Sequence, residues 1–264
     1  MFAYDFMVNA FAAAGLVALV AGLAGYLLVL RGQTFAGHAL GHVGFTGATG
    51  AVLIGVAPLW GLLAVTIAAG VLMGLVGERL AGRDVAVGVV LAAALGIGLL
   101  FLHFFTSGAN EATSILFGNV LGVDRATVWA LAGLTAIALA GFAVIARPLL
   151  FATLQPEIAA ARGVGLRLVA VLFLAIVALV TAQCVQIVGV LLVFALMVGP
   201  AAAAQRLTAR LLPGLALAAL LAVAEAWGGL VAAYYTDWPT SFWIVAFSTV
   251  VFLASARAEG LRRE

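Results

Sequence analysis

Residues 9–45, NAFAAAGLVALVAGLAGYLLVLRGQTFAGHALGHVGF, decide how the rest of the chain is read. From Asn9 to Leu30 there is no charge, and about 20 apolar residues suffice to cross a bilayer. Arg31 closes that run, and a second apolar stretch starts within a few residues, at Phe35. Two membrane helices joined by a short, basic turn are the simplest account. The second helix differs from the first, because it carries His38 and His42, two of only three histidines in the chain.

Composition extends this reading to the whole molecule. The 264 residues are 66% hydrophobic and 8% charged, where a soluble domain carries roughly a quarter charged residues. The apolar excess exceeds what a soluble core can bury, so the expected class is an all-α polytopic membrane protein. All basic side chains are arginine, and a net charge of +2 spread over scattered arginines argues against nucleic-acid binding. The single cysteine, Cys184, excludes an intrachain disulfide framework and a multi-cysteine zinc cluster. The start, MFAYDFMVNAF, lacks the basic region of a cleavable signal peptide.

Spans are expected near 9–30, 35–56, 59–78, 85–105, 127–146, 167–184, 187–205, 211–233 and 240–256. The stretch Leu168–Ala204 is too long for one crossing at about 1.5 Å per residue. It is divided near Gln183–Gly189, giving nine spans, or eight without that break. With nine spans and the N-terminus outside, Arg31, Arg79, Arg83, Arg147, Arg162, Arg167, Arg206, Arg210, Arg257, Arg262 and Arg263 all fall inside, and only Arg125 falls outside. That places the C-terminus in the cytoplasm. The outer segments, TSGANEATSILFGNVLGVD (106–124) and YYTDWPT (234–240), have a different character, the second with interfacial Tyr and Trp. The chain reads as a single transmembrane domain over 1–264, without internal repeats.

The longest inner loop, RPLLFATLQPEIAAARGVGLR (147–167), is punctuated by Pro148 and Pro156. Pro156 at the first helical position, Glu157 and the alanines after it predict a short helix, ended by Gly163 and Gly165. Such a helix is either a docking element for a soluble partner or an ordinary interfacial loop.

On the second helix, residues four apart lie about 40° apart on the wheel, so His38 and His42 share a face. Thr46 and Thr49 extend that polar stripe as candidate pathway-lining residues. Beside it runs a ridge of small residues, Gly37, Gly41, Gly44 and Ala48, suited to close approach by another helix. Two imidazoles at this spacing can ligate one transition metal, or simply hydrogen-bond to neighbouring helices. Glu225, in LAVAEAWGGL, is the one carboxylate well inside a span, and either pairs structurally or shares an ion with the histidines. His103, in FLHFF, reads as interfacial. Pro200, in MVGPAAAA, is expected to bend its helix beside the pathway.

Taken in order, these stretches resemble the permease subunit of the zinc/manganese/iron metal-uptake ABC transporters over nearly the whole length. The opening 37 residues (9–45) look like the family's first helix, closing arginine and Gly-Asp-Ala-Leu-Ser-His segment. ILFGNVLGV (115–123) is similar to the outer-loop pattern, and QPEIAAARGVGL (155–166) to the Asp-Pro-Glu-x-Ala coupling segment. QIVGVLLVFALMVGPAAAA (186–204) and DWPTSFWIV (237–245) are similar to the Gly-x-Leu-Leu…Pro-Ala-Ala helix and the closing Asp-x-Pro-Thr-Gly stretch.

The resemblance implies an importer permease in the bacterial cytoplasmic membrane, with Glu157, Ala160 and Gly163 in the helix that receives force from an ATP-binding subunit. The chain has no Walker A sequence and no lysine to complete one, so it is not expected to be an enzyme. The implied partners are a separate ATP-binding subunit, an extracytoplasmic metal-binding protein and a second permease copy, within membrane lipid. His42 falls on the family histidine, His38 where the family has aspartate, and Gly41 where it has serine. Exchanging a carboxylate for an imidazole moves the expected cargo from manganese toward zinc, with manganese and iron as the alternatives, and no cofactor is held permanently. It also admits a metal complex as cargo. Rival readings are a secondary transporter without an ATPase, which has no use for a docking helix, and a structural subunit, which has no use for a polar stripe.

Overall fold

The computed structural model describes residues 4–76, 83–104, 116–190 and 192–263. Arg79, residues 106–115 of the first outer segment, and the side chains of Arg83, Arg262 and Arg263 lie outside the described residues. Ten α-helices and one 3-10 turn account for the described structure, which contains no strand. In chain order they are α1 (Asp5–Leu30), α2 (Thr34–Leu53), α3 (Pro58–Val76), α4 (Arg83–His103), the 3-10 turn (Val120–Gly122), α5 (Arg125–Leu154), α6 (Pro156–Ala161), α7 (Leu166–Val188), α8 (Val193–Leu207), α9 (Leu211–Thr236) and α10 (Thr240–Arg263).

Helices α1, α3, α5, α7, α9 and the Thr240–Ala258 part of α10 are long and apolar enough to cross a membrane. The apolar part of α4, Val87–His103, and the whole of α8 are shorter; 17 and 15 residues rise only about 25 and 22 Å. α2 has 20 residues, but five of them are glycines and two are histidines.

Two boundaries differ from expectation, and the break expected near Gln183–Gly189 falls at the far end of that stretch. α5 does not stop near residue 146 but runs through Pro148 to Leu154. Proline removes one backbone donor, yet Ile145 and Leu149 on either side are buried in the core and hold the helix together. α7 continues through Gln183 and Gln186 and breaks only at Gly189, whose φ is +87°. Gln183 does not interrupt it because its amide is satisfied inside the bundle, accepting from Thr135 Oγ1 at 2.9 Å and donating to the Leu179 carbonyl at 3.4 Å. Gly165 caps the start of α7, while Gly163 alone ends α6.

α1 and α7 form the centre. α1 packs on α5, α7, α8 and α9, and α7 packs on α1, α2, α3 and α5. Lipid removes the hydrophobic drive for helices to associate, so packing and close backbone approach hold the bundle. Gly25 on α1 lies against the Met197 carbonyl of α8, and Gly70 and Gly74 on α3 lie against Leu174 and Val171 of α7. Phe173, Leu28, Leu40, Leu62, Leu196 and Met197 fill the remaining space. The lone thiol, Cys184, is wholly buried in α7.

The helix ends sort into two groups. Arg31 reaches Thr153, Arg167 reaches the Leu75 carbonyl, Gln205 bonds the Tyr26 carbonyl and Arg206 covers the Phe252 ring at 4.2 Å. These contacts gather the ends of α1, α3, α5 and α8 with the start of α7 and the middle of α10. The opposite ends carry exposed Tyr4, Trp60, Trp129, Tyr235 and Trp238, the aromatic composition of a membrane interface. There Asp124 caps α5, its carboxylate accepting from the Thr127 N–H at 2.9 Å. Hydrogen bonds from Thr127 hold that carboxyl below the usual carboxylate range.

Candidate functional site

α2 packs on α3, α4 and α7, which fixes the direction its histidines face. Its closest approach is at Gly47, whose backbone lies against that of Gly61 on α3, so that neither position has room for a Cβ. The anticipated ridge is tighter at some positions than others. A Cβ at Gly37 would press on Leu28 at 2.8 Å, and one at Gly44 on Leu62 at 3.1 Å. At Gly41 it would meet the Val190 carbonyl at an ordinary 3.6 Å. Ala48 is fully buried. The seam at Gly47 was legible only as one more glycine in TGATG (46–50).

His38 and His42 are half-buried, and their ring centroids are 4.7 Å apart in an edge-to-face arrangement. The His38 ring also meets the edge of Phe194, 5.3 Å away on the first turn of α8. This contact, which the sequence pattern did not reveal, sets the pair beside the break between α7 and α8. Segment 116–122 packs on the same break, with the backbone of Gly118 (φ +78°) against that of Gly189. A cavity of about 200 Å³ opens between Phe117–Leu121, the end of α7 and the start of α10, with no titratable side chain in its lining.

Thr46 and Thr49 do not behave as pathway-lining hydroxyls in this structure. Both are buried; Thr46 Oγ1 donates to the Ala94 carbonyl on α4 at 2.5 Å, and Thr49 Oγ1 to Phe45 O at 2.9 Å. Their hydroxyls are spent on carbonyls, because lipid-embedded backbone and hydroxyl groups must find protein partners. The accessible part of the stripe is the two histidines.

Glu225 is not brought to them. It is 2% exposed, and neither carboxyl oxygen has a hydrogen-bond partner. Its polar neighbour is Ser248 on α10, whose hydroxyl donates to the Ala195 carbonyl at 3.0 Å. Among the described residues no three His, Cys, Asp or Glu side chains form a metal-holding group. Among the described residues, the histidine pair therefore has two imidazole ligands and no third side chain of these types beside them. His103 sits exposed on the last turn of α4 with its ring against Phe104. Pro200 is buried within an uninterrupted α8.

At the arginine-rich end, α6 has Pro156 on its first turn and ends at Gly163, whose φ of +81° is the left-handed conformation that glycine adopts readily. Ala159 points inward, while Glu157, Ile158, Ala160 and Gly163 are exposed.

A model of the ABC 3 transport family matches residues 3–258. The chain belongs to the ABC 3 transport family. As an ABC 3 permease, it is a multi-pass protein of the bacterial cytoplasmic membrane and the membrane subunit of a metal-uptake system. It is 30% identical over 253 residues to the manganese transport system membrane protein MntC of Halalkalibacterium halodurans, covering 96% of this chain and 87% of that one. It is 27% identical to the manganese import system permease ScaB of Streptococcus parasanguinis, covering 96% and 90%. Among solved structures, PsaBC from Streptococcus pneumoniae in complex with Fab has the same fold, with a TM-score of 0.85 at 24% identity, covering 96% and 91%.

Proposed function

We propose that this ABC 3 permease passes a divalent transition-metal ion along the face of α2 that carries His38 and His42, and that two copies of the chain form the pathway. The half-buried imidazole pair carries this reading. It is held in place by glycine packing on the opposite side of α2 and lies beside a broken helix. Two ligands from one chain leave a metal under-coordinated, and a second copy supplies two more imidazoles. Ligand exchange along such a site allows binding weak enough for release.

The arginine-rich end faces the cytoplasm and the aromatic end faces outward, following the positive-inside rule. The exposed face of α6 (Glu157, Ile158, Ala160, with Gly163 at its end) docks on a separate ATP-binding subunit. A metal-binding protein delivers the ion at the aromatic end, and Pro200 bends α8 next to the route. MntC and ScaB bear manganese in their names. A pair of imidazoles suits zinc better than manganese, and we assign zinc as the preferred cargo, with manganese and iron as weaker ones.

The test is uptake by the reconstituted transporter complex, with Zn²⁺ and Mn²⁺ offered singly and in competition. His42→Ala is expected to abolish most uptake, and His38→Asp is expected to keep uptake while moving preference toward Mn²⁺. Unaltered uptake in both His38→Ala and His42→Ala defeats the proposal. Wild-type preference for Mn²⁺ defeats the assignment of zinc, and uptake only of a chelated metal replaces the free ion by a complex.

A further inference from the structure

Arg31 ends α1 at the arginine-rich end, and its guanidinium touches three other parts of the molecule. Nη1 donates to Thr153 Oγ1 at 2.7 Å, and Nε donates to Gln33 Oε1 at 3.3 Å. The guanidinium carbon lies 5.0 Å from the centre of the Phe173 ring. Each partner occupies a telling place. Thr153 lies on the last turn of α5, three residues before α6 begins, and Phe173 lies on α7, the helix that follows α6. Gln33 is buried and immediately precedes α2, with its carbonyl accepting from the Ala36 N–H at 3.1 Å. His38 follows five residues later, about 7 Å along the helix. Both arms that hold α6 therefore meet on one side chain, and that side chain also holds the foot of the histidine helix.

The geometry limits slack. The Thr153 hydroxyl donates to the Leu149 carbonyl at 2.6 Å, which turns its oxygen lone pairs toward Arg31. Phe173 is fully buried and cannot swing aside. A guanidinium presents donors in a rigid planar fork, so a shift of Thr153 is passed to Gln33, where a flexible ammonium would absorb it. α1 itself is tied down one turn earlier, where Gln205 Nε2 donates to the Tyr26 carbonyl at 2.9 Å.

We propose that Arg31 is a positioning residue that makes the α6 segment and the histidine helix move together, through Thr153 and Phe173 on one side and Gln33 on the other. This rests on the reading of α6 as the docking element for the ATP-binding subunit.

The test uses the whole transporter complex in proteoliposomes. Zn²⁺ or Mn²⁺ taken up per ATP hydrolysed is measured per assembled complex, together with basal ATP hydrolysis and co-purification of the ATP-binding subunit. Thr153→Val removes the acceptor while leaving every charge in place, and Arg31→Lys keeps the charge without the fork. Each is expected to lower ions moved per ATP roughly tenfold, the scale of one lost hydrogen bond to a charged group. Co-purification and basal hydrolysis are expected to stay at wild-type level. The double variant is expected to be no worse than Arg31→Lys alone, because both changes cut one link. Thr153→Ser, which restores the acceptor, is expected to recover coupling.

An unchanged ratio of ions to ATP in Thr153→Val, or additive losses in the double variant, overturns the role of Arg31. Ile158→Arg, on the exposed face of α6, separates the two readings. If it releases the ATP-binding subunit while Thr153→Val leaves the ratio unchanged, docking stands and the Arg31 link falls. If it leaves co-purification and coupling intact, both fall.

Discussion

α2 and α9 both carry ionisable side chains into the membrane region, and they treat them in opposite ways. On α2 the histidines are half-buried, with their rings against each other and that of His38 against Phe194 on the first turn after a helix break. On α9 the Glu225 carboxyl is sealed among helices, with both oxygens unpartnered. A charge in that place is expensive unless it is paired or reached by water. Intramembrane polarity alone does not mark a pathway; accessibility, and a place beside a helix break, separate the two sites.

That contrast fails most visibly at the histidines. His42→Ala is expected to lower metal uptake roughly tenfold or more, on the scale of a damaged metal site, whereas His103→Ala stays within about twofold, as an exposed substitution should. Equal effects of the two would erase the distinction between α2 and the periphery. Next in size is the packed side of α2. Gly47→Leu forces a side chain into the Gly61 backbone and should cost about 1–3 kcal/mol of stability, read as a lower melting temperature of the purified complex. A stable Gly47→Leu protein with normal uptake would show that the histidine face needs no firm backing.

Glu225→Gln tests the sealed site directly. The amide resembles the neutral acid in size and hydrogen-bonding, so uptake is expected to change by no more than about twofold, the range of an uncharged, near-isosteric exchange. A large loss would mean that the carboxylate takes charge at some stage of transport, and would place α9 beside α2 as a functional helix. The smallest effect belongs to the exposed carboxylate of Asp124, which has the partners Glu225 lacks. Because its pKa is depressed in the folded state, its stabilisation is present above the ordinary carboxylate range and is lost as pH falls through the folded value. Asp124→Asn should therefore melt slightly below wild type at neutral pH, and that gap should close in acid.

Much of this architecture is legible in the chain because membrane helices announce themselves by length and apolarity. Nine of the expected segments correspond to helices, and α6 begins at Pro156. The departures share a cause: Pro148 and Gln183 look like interruptions locally, but buried neighbours and the Thr135 hydroxyl compensate for them. The histidine pair could be read from spacing because both residues lie on one helix. Its contact with Phe194 and its separation from Glu225 could not, since both depend on how α8 and α9 turn relative to α2. The seam at Gly47 was equally hidden, as five glycines on α2 offer no local sign of which one touches backbone.

Cys184 has a practical consequence. The chain's one thiol is sealed within α7, out of reach of water-borne alkylating reagents and of the membrane-facing surface. The wild-type protein is thus nearly a cysteine-free background for labelling. A single cysteine placed at Ile158 on α6, or at Phe35 beside the start of α2, both exposed, becomes a reporter whose signal needs no correction for the native thiol. A spin label or fluorophore at each of those two positions turns turnover of the transporter into a distance that can be followed in time.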